Sequence, residues 1–195
     1  MKRASLGVSA ATFLALLSAH LVATSWERQE VGTSDAVTVT FADGSTQTVD
    51  HLRFVYVWTQ GGRGVNFRES ADFHYVDTIR GVSVDKTIAR TTLKRFDVSW
   101  LRIGENWRSA ATLTLADGTR LSLHWEQLLD APRTFLLGKK PEEISASDRT
   151  SLLRIEIHGV ATVAGQRGNF LADLSTYDER GPSHRVASIL FGPTQ

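Results

Sequence analysis

Eight residues of this chain occur twice, and the piece that repeats prescribes a tight reversal of direction. Thr38-Val39-Thr40-Phe41-Ala42-Asp43-Gly44-Ser45 returns 74 positions later as Thr112-Leu113-Thr114-Leu115-Ala116-Asp117-Gly118-Thr119, with five identities and three conservative replacements. Apolar and hydroxyl residues alternate into and out of Ala-Asp-Gly, the pattern of two half-buried strands joined by a short turn. A two-residue Asp-Gly loop would set Leu113 and Leu115 against Ser122 and Arg120. A three-residue loop, Ala116-Asp117-Gly118, instead sets Leu113 against Leu121 and Ala111 against Leu123, keeping one face apolar. That loop ends in a left-handed residue, so positive φ is predicted at Gly44 and Gly118.

A second pair of blocks follows in the same order. Thr91 to Val98 (TTLKRFDV) matches Thr150 to Ile157 (TSLLRIEI) at a separation of 59, so the first copy holds 15 more residues between its landmarks. Each Thr/Ser pair suits a turn before a strand, with Phe96, Val98 and Trp100, or Leu153, Ile155 and Ile157, facing inward. The expected fold is all-β: two tandem antiparallel units related by a pseudo-repeat, built as a sandwich or as paired small barrel-like sheets, with little helix. Unit one spans 37–106 and unit two 107–195, the latter ending in a strand pair over 170–177 and 185–191.

Residues 1–25 read as a secretory signal: Lys2-Arg3, an apolar run from Leu6 to Leu17, and the small residues Ala23-Thr24-Ser25 before a cleavage point. The expected product is secreted or periplasmic, with no membrane span left after cleavage. Kept uncleaved, the same stretch would serve as an anchor. A polar connector covers 26–36. In the return strand of the first hairpin the apolar set changes phase near Asp50-His51, which a bulge or corner would explain. Residues 59–70 (TQGGRGVNFRES) read as a long exposed hairpin loop. Further strands are expected over 72–76, 79–84 and 134–137, and one helical turn around 126–129.

The formal net charge is +1 for the chain, and without Lys2 and Arg3 the remainder carries −1, with no basic footprint for a phosphate backbone. Nucleic acid is therefore not an expected partner. With no cysteine, disulfides, thiolate metal sites and thiol nucleophiles are excluded. The six histidines (His20, His51, His74, His124, His158, His184) include no pair with metal-ligand spacing. No cofactor or metal is expected. His124 and Glu126 would share one face of a strand and are the weak candidates for acid-base catalysis, the solvated same-face pair being the plainer reading. His74 and Asp77 have odd spacing and would point apart.

Trp58, Trp100 and Trp125 fall on inward positions. Trp107, beside Arg108 in the segment between the units, is the tryptophan left to serve a ligand, and Gly61, Gly62 and Arg63 complete the candidate ligand-binding set. The expected function is an exported, non-enzymatic β-protein that binds a protein or cell-envelope component through an exposed strand edge, the Gly-rich loop or the cleft between the units. The alternatives are a glycan-binding module using Trp107 and a hydrolase using His124 and Glu126.

Overall fold

The computed structural model describes residues 35–192; the expected signal and nearly all of the connector lie outside them. Two tips set the framework. Strand β1 (Val37–Phe41) turns through Ala42-Asp43-Gly44 into β2 (Thr46–Gln60), and β7 (Asn106–Leu115) turns through Ala116-Asp117-Gly118 into β8 (Arg120–Leu123). Gly44 has φ 85° and Gly118 φ 87°, and the register pairs Leu113 with Leu121 and Ala111 with Leu123, as predicted.

The remaining strands are β3 (Arg63–Ser70), β4 (Phe73–Ile79), β5 (Val82–Ile88), β6 (Leu93–Ile103), β9 (Thr150–Val163), β10 (Gln166–Asp173) and β11 (Val186–Phe191). Nine of the eleven described strands form one antiparallel sheet in the order β10-β9-β2-β1-β11-β6-β7-β8, with β3 also paired to β2. β4 and β5 form a separate two-stranded hairpin. The all-β expectation holds at this level. The drawn boundary at 106/107 falls at the β6–β7 turn, and the sheet runs across it: β1 pairs β11, and β2 pairs β9.

The phase change at Asp50-His51 is a bulge. Asp50 pairs Val160 and Arg53 pairs His158, so His51 and Leu52 together face Gly159. His51 sits at φ 53°, and a Cβ at Gly159 would come within 2.4 Å of Val49 Cγ1 and 2.9 Å of the Asp50 carbonyl. The corner needs glycine opposite it. A second irregularity, where Val57 pairs Arg154 but Trp58 pairs Leu152, leaves Leu153 without an opposite residue. Leu152 is therefore buried and Leu153 exposed, contrary to the inward set read from strict alternation.

Other corrections follow from turn chemistry. Residues 59–70 are not a loop: β2 continues to Gln60, Gly61-Gly62 make a two-residue turn with φ 58° and 71°, and β3 pairs back along β2 through a bulge in which Gly64, at φ 63°, and Val65 together face Thr59. Two consecutive positive φ values define the hairpin turn whose twist matches the strands. Residues 134–137 are helical, within α2 (Arg133–Leu137), a single turn set off by Pro132 and the left-handed Gly138. The helical turn expected near 126 is α1 (Trp125–Leu129). β10 and β11 do not pair with each other; they lie on β9 and on β1 and β6.

The core lies on the inner face of the sheet. Phe54 and Phe96 pack with Phe73 from β4, each at a centroid distance of 5.1 Å from the Phe73 ring. Fully buried Tyr56 fastens the β4–β5 hairpin to the sheet: its hydroxyl donates to the His74 carbonyl at 2.9 Å and accepts from the His74 amide at 2.6 Å. Burial raises the Tyr56 hydroxyl pKa far above its ordinary value, so it stays a donor. Among the described residues no helix is long and apolar enough to cross a membrane.

Candidate binding cleft

A cleft of about 790 Å³ opens beside the first tip. One wall is Phe41 and Gln47 from β1 and β2; another is Asn169 to Asp173 on β10 with Glu156 beneath; the third is the segment Thr176 to His184. The tip itself is rigidly tied. The Phe41 amide donates to Ser45 O at 2.8 Å, the Gly44 amide donates to Phe41 O at 2.9 Å, and Asp43 Oδ1 accepts from the Ser45 amide at 2.9 Å. The Ala42 amide donates to Arg185 O at 2.8 Å, latching the tip to the segment that forms the third wall.

That segment begins in an aspartate turn. Asp173 Oδ1 accepts from the amides of Ser175 (2.8 Å) and Thr176 (2.9 Å), while Ser175 Oγ accepts from the Ile155 amide at 2.8 Å. Burial nonetheless raises the Asp173 carboxyl above its ordinary range, the hydrogen bonds opposing that shift without cancelling it. Directly across the β9–β10 ladder stands Glu156, buried between Arg154 (Nε to Oε1, 2.5 Å) and His158 (Nε2 to Oε2, 2.8 Å). Burial pushes this carboxyl up, but the hydrogen bonds from Arg154 and His158 outweigh it, so the net shift is downward. Asp178 is held by Arg180 at 2.7 Å and is likewise lowered, chiefly by that side-chain bond. With Glu179 the cleft presents four carboxylates against Arg180 and His184.

Tyr177 links the cleft to an aromatic stack. Its ring lies parallel to Trp107 at 4.2 Å and edge-on to Trp100 at 5.6 Å. The Arg185 guanidinium sits over the same ring at 4.4 Å and donates to the Tyr177 hydroxyl. Trp100 Nε1 donates to Val186 O at 3.4 Å. The segment between Asp173 and β11 is thus pinned at both ends and along its length.

Trp107, expected to stand free in a linker, is on β7 with one face covered by Tyr177, and is half-buried. Arg108 follows it on the same strand. Gly61, Gly62 and Arg63 lie on a different hairpin, β2–β3, so the candidate set divides between two places. His124 and Glu126 are not on one strand face: His124 immediately precedes α1, its amide donating to Gln127 Oε1 at 2.9 Å, and Glu126 is in the helix. Residues two apart on a helix point in different directions.

His74 lies on β4 between buried Phe73 and Tyr75. It stacks on Phe135 at 3.7 Å, with Ser70 Oγ and Thr87 Oγ1 each 3.0 Å from a ring nitrogen. Burial lowers its pKa, with Asp72 and Asp85 opposing and Arg68 reinforcing the shift. Among the described residues no group of three or more His, Asp and Glu side chains is placed to hold a metal ion.

Sequence reasoning missed the cleft because its residues come from β1, β2, β9, β10 and the segment before β11. The available signal was Asp173-Leu174-Ser175-Thr176, an aspartate followed by hydroxyl residues, which marks a turn where strand was expected. No family model, no curated protein and no solved structure matches this chain.

Proposed function

We propose that this chain is an exported, non-enzymatic β-protein that acts by binding a protein or cell-envelope component, and that the cleft beside the first tip receives it. The observation that carries the reading is a cleft whose chemistry is already committed. Glu156, Asp173 and Asp178 are each held by hydrogen-bonding neighbours, and the wall that bears Tyr177 is fixed by a ring stack. Groups locked in this way suit recognition, where preorganisation reduces the entropy lost on binding. The paired tips and the matching blocks further suggest duplication of an ancestral hairpin, one copy of which acquired the cleft.

The test is capture from native envelope extract by the wild-type protein and by Tyr177→Ala. A defined partner retained by the wild type and lost from a folded variant supports the reading. A protein that stays partnerless in both capture and cross-linking overturns it.

Glycan is the second reading. Phe41, Phe170 and Tyr177 share the cleft with Gln47 and Asn169, the mix of rings and amides that stacks on sugar faces and bonds hydroxyls. Trp107 and Arg185 cover the Tyr177 ring, so Phe41 replaces Trp107 as the ring of interest, and Trp107, stacked behind Tyr177, becomes the reporter. Oligosaccharides should then quench tryptophan fluorescence in the wild type and fail to do so in Phe41→Ala.

A further inference from the structure

Consecutive residues of β10, Asn169 to Asp173, line the cleft. Successive side chains of a strand point to opposite faces, so a cleft touched by all of them runs along the strand's edge rather than over one face. β10 ends the sheet. Among the described residues it pairs only with β9, and no backbone hydrogen bond from another described element reaches its outer edge.

The register fixes which backbone groups are left over. The Leu174 amide donates to Ile155 O at 2.8 Å, and the pairing with β9 runs back from there to the Ala164-Gly165 turn without a shift. In an antiparallel ladder, alternate residues bond the neighbouring strand. Phe170 and Ala172 therefore spend their backbone groups on β9, and the N–H and C=O groups of Asn169 and Leu171 point into the cleft. Folded proteins commonly blunt an open edge with proline, lysine or a very short strand. β10 (QRGNFLAD) is eight residues long and has neither residue.

The walls define what an added strand must carry. On the inner face Phe41 lies 6.4 Å from Phe170 between ring centroids, so a side chain set beside Phe170 meets apolar rings. On the outer face the lining is acidic. Asp178 is paired with Arg180, and Glu156 with Arg154 and His158, which leaves Asp173 and Glu179 as lining carboxylates in no ion pair among the described residues. An extended segment that alternates apolar and basic residues matches both, its main chain bonding the edge and its side chains supplying specificity.

We propose that the cleft takes an extended, basic segment of a partner protein as an added strand along β10, bonded to the backbone of Asn169 and Leu171. This rests on the cleft being the binding site and names the class of its ligand.

The probe is a nine-residue peptide of alternating lysine and valine, added to the wild-type chain. Residue-resolved hydrogen exchange should find the Asn169 and Leu171 amides open in the free protein and slowed about tenfold or more at saturation, with Phe170 and Ala172 protected throughout. Methylating the peptide's amides at one alternate set, the lysines or the valines, should weaken binding about tenfold, and methylating the other set should not. A glutamate-valine peptide should bind about tenfold more weakly. Binding that leaves Asn169 and Leu171 open, indifference to both methylations, or equal binding of the glutamate peptide overturns the proposal while leaving the cleft a binding site. Failure of the lysine-valine peptide to bind also overturns it, and partner capture that depends on Tyr177 would then still support the cleft. Protection of Asn169 and Leu171 without peptide, constant or rising with protein concentration, overturns it too, because the chain's own residues or a second copy then occupy the edge.

Discussion

The two tips are nearly the same object placed in two settings. In each, the amide before Ala-Asp-Gly donates to the carbonyl after it at 2.8 Å, the aspartate accepts from the next Ser or Thr amide, and glycine takes a left-handed conformation. The likeness extends one step outward. Ala42 donates to Arg185 O, just before Val186, the partner of Phe41, while Ala116 donates to Thr92 O, just before Leu93, the partner of Leu115. The strand on which the second tip rests immediately precedes it in the chain, whereas the strand on which the first rests, β11, comes from the far end. Beyond that the settings diverge. The first return strand passes a corner and runs to Gln60; the second stops at Leu123. A cleft forms beside the first tip because the Thr176 to His184 segment arrives there. Local sequence makes the tip, and distant sequence decides what surrounds it.

The largest expected effect breaks the asymmetry at the corner. Gly159→Ala drives a methyl against Val49 and the Asp50 carbonyl, and overpacking of this kind costs about 1–3 kcal/mol. Chemical denaturation should show that loss; a change below about 0.5 kcal/mol would mean the corner yields easily.

Next come Gly44→Ala and Gly118→Ala. Neither Cβ meets any atom within 4 Å, so each substitution carries only the left-handed backbone penalty, about 1–2 kcal/mol. The two losses should agree closely in thermal melts. A clear inequality would show that the surroundings, rather than the turn, set the conformation.

His74 addresses the insertion between the tips. Its folded pKa lies below its unfolded value of about 6.5, so its contribution to stability is full above that pH and is lost as pH falls through the lowered value. His74→Gln should therefore flatten the stability profile on the acidic side of 6.5, and a slope identical to wild type would contradict the burial argument.

The smallest effects belong to Asp43→Ala and Asp117→Ala. Both carboxyls are lowered by hydrogen bonds, Asp43 chiefly from the Ser45 side chain and Asp117 chiefly from the Thr119 backbone. Each supports the tip above the ordinary carboxyl range and ceases to as pH drops through its lowered value. Melts at neutral pH should show small, matched losses that vanish once the wild-type aspartates are protonated.

What was legible in the sequence follows the range of the forces involved. Tip register, the glycine conformations and the bulge at His51 are set by neighbours a few residues apart, and alternation plus turn chemistry reveals them. Leu153 defeated strict alternation because a bulge inserts a residue without any local marker. The Gly61-Gly62 turn reads in sequence as part of a long exposed loop because β3 is an edge strand, and its exposed side chains lack the buried alternation of inner strands. Trp107 reads as a free residue between the units because its partner, Tyr177, lies 70 positions away and in a segment expected to be strand. The cleft is entirely of this long-range kind.

The most direct test places one photo-crosslinking residue, benzoylphenylalanine, at either tip in the protein produced in its native cells. Position 183 borders the cleft at the first tip, and position 119 is the exposed end of the second. A discrete adduct from 183 and none from 119 is the expected result. Adducts of equal yield from both positions, or none from either, would contradict a binding role for the cleft.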